Sequence, residues 1–377
     1  MVVAREAVAL GGVLLAVTIA CACAPAVEPA STSPAGASAS APMVSPPLRP
    51  RRAVYRRAAS IFETFDNVSM WLQGKCDPEY RAEWEARFGI GDDDLRRFAD
   101  YKAIRKRYYP VPTGSPHDDP RSSPDGLFAP IKAPDRLAAA FYASDKLEEA
   151  FTRLPSFMSA EDIAALDDIY RTYAPRFEAL FEQEEAYRGV AEAVSARLDA
   201  GKFDHFAERV ARFYGVPSVP DFTIVYVHWP KGENVAANPR GQYLIMKYAL
   251  PDQREGAVRD IEIPLHELVH VISARQPEAQ KHTFTEAFLS TCASSGDVPG
   301  PKVIEEPLAV VFQKLFLREL DPGRFDLDRP WYGGDPWIDP MAKRILAPVE
   351  ATFAAGGPAD PDLFRRLGTG CPHPRAR

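Results

Sequence analysis

The chain has 377 residues, of which 46% are hydrophobic and 11% aromatic, so it can bury a sizeable core in one large or two ordinary domains. It carries 45 Lys and Arg against 52 Asp and Glu, a net charge of -7. This mildly acidic balance argues against nucleic acid as the main partner.

Residues 1–20 have the pattern of a signal peptide. Arg5 precedes an apolar stretch that has the length of a signal h-region and is too short to span a bilayer comfortably. Ala20 followed by Cys21 resembles a bacterial lipobox, in which the cysteine becomes lipid-modified, although Thr18 stands where Leu is usual. Two alternatives remain: lipid on Cys23, or ordinary cleavage at the small residues around Cys21.

Residues 21–50 follow as an Ala/Ser/Pro-rich run with almost no bulky apolar side chains. Such a run buries too little surface to offset its chain entropy, so we expect a disordered tether. Arginines at positions 49, 51, 52, 56 and 57 favour either contact with anionic lipid head groups or a solvated helix start. The segment predicts an exported protein that is anchored to a membrane by lipid on Cys21, or is otherwise secreted or periplasmic.

Export leads to an oxidising compartment, so the remaining cysteines are candidates for disulfide bonds. They are Cys76, Cys292 and Cys371, with Cys23 as a fourth if Cys21 is lipidated. A bond between Cys292 and Cys371 would tie the C-terminal tail to the core, but one sequence leaves the pairing open.

Residues 51–219 are predicted to be a helical N-terminal region. Three apolar stripes have helical spacing: Phe62, Phe65, Val68, Met70 and Trp71; Leu95, Phe98, Tyr101, Ile104 and Tyr108; and Ile163, Leu166, Ile169, Tyr170 and Tyr173. A Pro-rich loop at about 110–134 interrupts them, and Ser159 opens a helix with an approximate capping box. We expect these aromatic residues to form core packing.

The pattern changes at Pro220. Two β-rich runs, Phe222 to Val227 and Gln242 to Tyr248, are followed by further helices to about Phe353. A predicted loop joins the two runs and contains the turn formers Gly232, Asn238, Pro239 and Gly241. The expected fold class is therefore mainly α with a small β-sheet, an α+β arrangement.

The sequence His266-Glu267-Leu268-Val269-His270 is the motif that carries chemistry. Pro264 is suited to a helix start, and two histidines four residues apart on a helix project from the same side. They can bind one Zn²⁺ and leave positions for a third ligand and a water, with Glu267 as the base that takes the proton from that water. The alternative interpretation is two surface histidines on an ordinary helix.

Zinc peptidases with a His-Glu-x-x-His motif, the zincins, fall into branches that differ in their third zinc ligand. Ser273 and Gln276 stand where one branch has Gly and a third His, so that branch is excluded. The remaining pattern resembles the gluzincin-type zinc metallopeptidases, in which a downstream helix supplies a Glu. We favour Glu306, because insertions between helices are easily tolerated and because a buried Glu in an apolar helix needs a partner. Glu286 and Glu305 are the alternatives.

This resemblance covers about 100 residues, from Phe222 to Leu320. It implies a zincin-like metallopeptidase domain over residues 220–370, with a strand before the motif helix that forms the edge where an extended peptide pairs. Gln242 to Tyr248 is the expected edge strand. The resemblance also implies a Tyr or His that stabilises the oxyanion. The candidates are Tyr332, His228 and Tyr243, whereas His282 and His117 are expected at the surface.

The expected function is a zinc-dependent peptidase of the cell envelope, with Zn²⁺ as cofactor and a peptide or protein as substrate. One alternative is a catalytically inert zinc-binding surface or scaffold lipoprotein that keeps the zincin fold; retention of Glu267 speaks against it. Another is a helical scaffold lipoprotein in which the motif is accidental.

Overall fold

The structure is a computed structural model that describes residues 53–72, 76–109, 127–129, 134–230, 236–250, 254–292, 300–333 and 335–371. All of these belong to one compact unit, Leu48–Arg377. The predicted signal peptide, the tether with Cys21 and Cys23, most of the Pro-rich loop and His117 lie outside the described residues.

The described chain is mainly helical with one small mixed sheet, which confirms the α+β class. The strands are β1 (Ala53–Tyr55), β2 (Thr223–His228), β3 (Ala236–Arg240) and β4 (Tyr243–Tyr248). The helices are α1 (Arg57–Ser69), α2 (Pro78–Phe88), α3 (Asp92–Tyr108), α4 (Arg136–Tyr142), α5 (Leu147–Arg153), α6 (Ala160–Leu180), α7 (Glu184–Ala200), α8 (Phe203–Phe213), α9 (Arg254–Arg259), α10 (Glu262–Ala274), α11 (Glu278–Leu289), α12 (Gly300–Val303), α13 (Glu305–Leu320), α14 (Ile338–Ala355) and α15 (Pro361–Gly368).

The helix ends follow local chemistry. Ser159 caps α6 as predicted, since its side chain accepts a hydrogen bond from the backbone N–H of Asp162. Asp360 caps α15 in the same way before a proline in the first turn. The predicted apolar stripes hold with two departures. Leu95 is exposed on α3, whereas Phe98, about one turn further along, is buried, and Met70 lies just past the end of α1.

The sheet has the order β1-β2-β4-β3, in which β1, β2 and β4 are parallel and β3 is antiparallel to β4. β2 and β4 confirm the two predicted β-rich runs. Two strands were not predicted: β1 is only three residues long, and β3 lies within the predicted loop. Pro239 is compatible with β3 because that strand is at the end of the sheet, where a residue without an N–H is tolerated.

The hairpin between β3 and β4 is tight. Arg240 pairs with Tyr243, so Gly241 and Gln242 form a two-residue turn. Gly241 has a φ of +64°, a backbone conformation that turns of this length require and that glycine adopts without steric cost. Gly241, one of the turn formers that led us to predict a loop, therefore marks this two-residue turn.

The sheet separates two cores, because successive side chains of a strand point to opposite faces. Ile224 and Tyr226 of β2 pack with α7, α8, α10, α13, α14 and α15 in what we call the first core, whereas Val225 and Val227 pack with α1 to α6 in the second core. Helices therefore cover both faces, as is usual where strands are parallel. Residues on both sides of the predicted domain boundary at 219 and 220 share this sheet, since β1 pairs with β2.

The start of β1 is fixed by a side chain from the helix beside it. The Ser195 hydroxyl, on α7, accepts a hydrogen bond from the backbone N–H of Ala53 and donates one to the backbone oxygen of the same residue, both at 3.0 Å. This satisfies both polar groups of the first residue of a strand at the end of the sheet order. β1 is thereby held to both β2 and α7.

Cys292 and Cys371 form a disulfide bond, which was the tail-to-core pairing considered from the sequence. The bond joins the ends of α11 and α15, which also pack through Phe284 and Phe364, with ring centroids 4.2 Å apart. Cys76 is not disulfide-bonded among the described residues.

Replacing both Cys292 and Cys371 with Ser is expected to lower the free energy of unfolding by about 4 kcal/mol, because the bond closes a long loop in the unfolded chain. The two cysteines are 79 residues apart. Denaturant unfolding of the oxidised protein measures the change, with Cys76→Ser as the matched control. Equal midpoints for the double variant and the oxidised wild type would contradict this role.

Within the described residues, no helix combines the length and the apolar character that a bilayer-spanning segment needs.

Candidate metal centre

Helix α10 carries the histidine motif on one side and core residues on the other. Leu265, Leu268, Val269 and Ile272 are fully buried in the first core. Pro264 lies in the first turn, where its missing N–H costs no helical hydrogen bond. The helix packs along α13, and this pairing turns both histidines of the motif toward the start of α13.

The side chains of His266, His270 and Glu306 converge between these helices. His266 Nε2 and His270 Nε2 are 3.2 Å apart. Glu306 Oε1 is 3.1 Å from His266 Nε2, and Glu306 Oε2 is 3.2 Å from His270 Nε2. Each Glu306 oxygen faces a different histidine, and one ligand atom from each of the three residues lies within 4.8 Å of the others. Ligands at the corners of a tetrahedron with bonds of about 2.0 Å are about 3.3 Å apart, so this grouping, the ligand triangle, could hold a metal ion.

The donor set can hold either a proton or a metal ion at its centre. His270 Nδ1 lies 3.0 Å from a Glu305 oxygen and donates its proton there, so a neutral His270 ring turns its Nε2 lone pair toward Glu306. Lone pairs and a carboxylate that face one another repel unless a proton or a metal ion lies between them. Two imidazoles and one carboxylate form a ligand set typical of zinc.

The charges at the site shift the pKa values of its members. Burial opposes the charged form of His270, but the Glu306 and Glu305 carboxylates outweigh it and hold the pKa of His270 well above its ordinary value. Burial also opposes the charged form of Glu306, yet the two histidines hold the pKa of that carboxyl far below its usual range. Burial raises the pKa of Glu267, which lies near all three ligands.

Glu305, an alternative third ligand in the sequence, lies behind His270 instead. Its side chain is fully buried, and Oε1 accepts hydrogen bonds from His270 Nδ1 and from the Ser273 hydroxyl at 2.8 Å. Oε2 accepts a third from the backbone N–H of Ala129 at 2.5 Å. A carboxylate on the far nitrogen of a metal-binding histidine fixes the orientation of its ring.

His266 has no equivalent support. Its Nδ1 is buried and lacks a hydrogen-bond partner among the described residues. The two histidines of the motif are therefore held unequally, and the orientation of His270 is the better defined. The sequence offered only the Glu305-Glu306 doublet as a signal for this arrangement, and the doublet does not reveal which carboxylate faces which nitrogen.

Glu286, the other alternative ligand, is not part of the group. Its side chain is exposed on α11 and lies 3.4 Å from Nδ1 of His282, which is itself exposed as expected. Helix α11 turns its buried face, with Phe284 and Phe288, toward the first core. Glu286 is two residues from both of these phenylalanines, so the helical repeat places it on the opposite, solvent-facing side.

Of the three predicted oxyanion donors, Tyr332 is the one that contacts the site. Its hydroxyl hydrogen-bonds Glu306, and burial together with the Glu306 and Glu267 charges raises the pKa of the phenol. His228 instead pairs with Glu83, with 2.9 Å between Nε2 and Oε2. Tyr243 packs in the second core, where its hydroxyl accepts a hydrogen bond from Gln242.

The edge strand is not the one that the sequence indicated. β4, which contains most of Gln242 to Tyr248, lies inside the sheet between β2 and β3, so it has no free edge. β1 and β3 are the two end strands of the sheet, and β3 contacts α10. The error arose because β3 contains Asn238 and Pro239, which are poor formers of central strands but are tolerated at an edge.

No protein family, curated protein or solved structure matches the chain.

Proposed function

We propose that this protein is a zinc-dependent peptidase in which His266, His270 and Glu306 hold the metal. One observation carries the proposal: ligand atoms of His266, His270 and Glu306 lie within 4.8 Å of one another, and Glu267 is beside them. A structural zinc site closes its coordination with protein ligands, whereas three protein ligands with an adjacent carboxylate are the arrangement of hydrolytic sites. This favours catalysis over inert metal binding.

Held by His266, His270 and Glu306, Zn²⁺ would lower the pKa of a water and polarise a carbonyl group. Glu267 accepts the proton of the attacking water and later passes it to the leaving amine. Its raised pKa suits this exchange, because a base whose pKa is closer to the working pH can both take and return a proton. Tyr332 donates a hydrogen bond to the carbonyl oxygen as negative charge develops on it.

We infer that an extended peptide binds along β3. This strand ends the sheet, so one row of its backbone N–H and C=O groups lacks a strand partner among the described residues. An extended chain pairs readily with such a row. Because β3 contacts α10, a peptide on this edge lies close to the helix that carries His266 and His270.

We further infer that the protein is exported and held at a membrane by lipid on Cys21. The signal-like residues 1–20 support export. The Cys292–Cys371 disulfide supports it independently, because such bonds persist in oxidising compartments. Metabolic labelling with a radioactive or clickable fatty acid tests the anchor: label lost in Cys21→Ser supports it, and label retained there but lost in Cys23→Ser places the lipid on Cys23.

The proposed activity is tested with purified protein and an unfolded protein substrate. We expect one zinc ion per chain, hydrolysis of peptide bonds, loss of both on chelation, and recovery on addition of zinc. Zinc bound without hydrolysis of any peptide library would favour an inert zinc-binding protein. Absence of bound metal would favour the scaffold lipoprotein with an accidental motif.

Replacing Tyr332 with Phe is expected to lower kcat about 10²-fold with little change in KM or zinc content, because it removes one donor to the developing oxyanion. Steady-state kinetics measure the effect. Tyr243→Phe is the matched control, since it removes a hydroxyl that lies in the second core. Equal kcat values for the two variants would show that Tyr332 has no such role.

A further inference from the structure

A short segment, Leu127–Ala129, lies against the side of Glu305 that faces away from the ligand triangle. The backbone N–H of Ala129 donates to Glu305 Oε2, and its backbone oxygen accepts from Lys281 Nζ at 3.4 Å. Leu127 and Phe128 are both buried in the first core, and Phe128 packs edge-on against Phe364. Side chains and backbone together anchor this segment.

The Glu305 carboxylate joins this segment to the metal centre. Oε1 accepts hydrogen bonds from His270 Nδ1 and the Ser273 hydroxyl, and Oε2 accepts one from the backbone N–H of Ala129. A fully buried carboxylate depends on its donors, because water cannot replace one that leaves. The positions of the His270 ring and of Ala129 are therefore set by the same charged group.

We propose that Glu305 is a positioning residue that couples metal binding at His270 to the anchoring of Leu127–Ala129. This rests on the proposed metal site. A cation on His270 Nε2 draws electron density from the ring and makes Nδ1–H a stronger donor to Glu305, which holds the carboxylate where Ala129 reaches it. Coupling between two sites is reciprocal, so loosening the segment weakens metal binding.

The coupling runs through one histidine only. His266 Nδ1 has no hydrogen-bond partner among the described residues, so the orientation of His266 does not depend on Glu305. The segment comes before α4 in the chain, whereas the ligands come from α10 and α13. Zinc would thus help to fix Leu127–Ala129, a segment that lies more than 130 residues before His266 in the sequence.

The test measures zinc affinity of the whole protein by competition with a chromophoric chelator. Glu305→Gln keeps the volume of the side chain and is expected to weaken zinc binding roughly ten- to a hundredfold. Phe128→Ala leaves Glu305 intact but loosens the segment, and is expected to weaken zinc binding about fivefold. Phe98→Ala removes an equally buried ring from the second core and is expected to leave zinc affinity unchanged.

Hydrogen exchange of a peptide that contains Phe128 and Ala129 gives a second readout, which can be made on the wild type alone as well as on a variant. Zinc is expected to slow exchange of the Ala129 amide in the wild type and to have no effect on it in Glu305→Gln. The coupling would be overturned if Glu305→Gln and Phe128→Ala bound zinc as tightly as the wild type and if zinc did not change exchange of the Ala129 amide in the wild type. That result would leave the peptidase proposal standing. A wild type that binds no zinc would overturn both.

Discussion

Glu267→Gln is expected to bind zinc as tightly as the wild type and to hydrolyse peptides roughly 10²- to 10⁴-fold more slowly. The ligand triangle consists of His266, His270 and Glu306, so Glu267 is not needed to hold the metal. Gln has nearly the same shape as Glu but cannot accept a proton from water. The loss should therefore fall on kcat and leave metal content unchanged.

The measurement combines metal analysis with steady-state hydrolysis of an unfolded protein. Glu286→Gln is the matched control, because it makes the same chemical change at an exposed position on α11. Equal rates for wild type and Glu267→Gln would remove the peptidase proposal and leave an inert zinc-binding protein.

His270→Ala is expected to abolish stoichiometric zinc binding and all hydrolysis above background. His270 provides one ligand through Nε2 and, through Nδ1, one of the three hydrogen bonds to the buried Glu305. A metal that binds only the folded state stabilises it, by about 2.7 kcal/mol when free zinc is a hundredfold above Kd. The wild type should therefore gain thermal stability with zinc, and His270→Ala should not.

Thermal unfolding across a series of zinc concentrations checks this, with His282→Ala as the control because that histidine is exposed and lies outside the ligand group. A Tm in His270→Ala that still rises with zinc would show that the stabilising metal binds elsewhere.

The sequence predicted which side chains converge between α10 and α13, because that signal is local. The spacing of His266 and His270 places them on one helix face whatever the fold is. Glu306 followed from the cost of burying an acidic residue in an apolar helix, and the structure brings it to both histidines. The hypothesis of a catalytic centre could therefore be formed before any fold was known.

The rest depends on tertiary contacts that spacing does not encode. The role of Glu305 depends on Ala129, which is 176 residues away in the sequence. β1 is too short for a periodic signal, and β3 is a strand because β4 lies beside it. The edge strand was misassigned for the same reason, since the order of strands in a sheet is not a property of any one segment.

The parallel pairing of β1 also gives the protein a mechanical property. A pull transmitted along the axis of β1 from the preceding residues would load its hydrogen bonds to β2 in shear. Bonds loaded in this way share the force and break together, whereas bonds that are unzipped break one at a time. Ser195 adds two further bonds at Ala53, the first residue to bear the load. The sheet is thus held at the first residue of β1 against tension from a lipid anchor of the kind proposed.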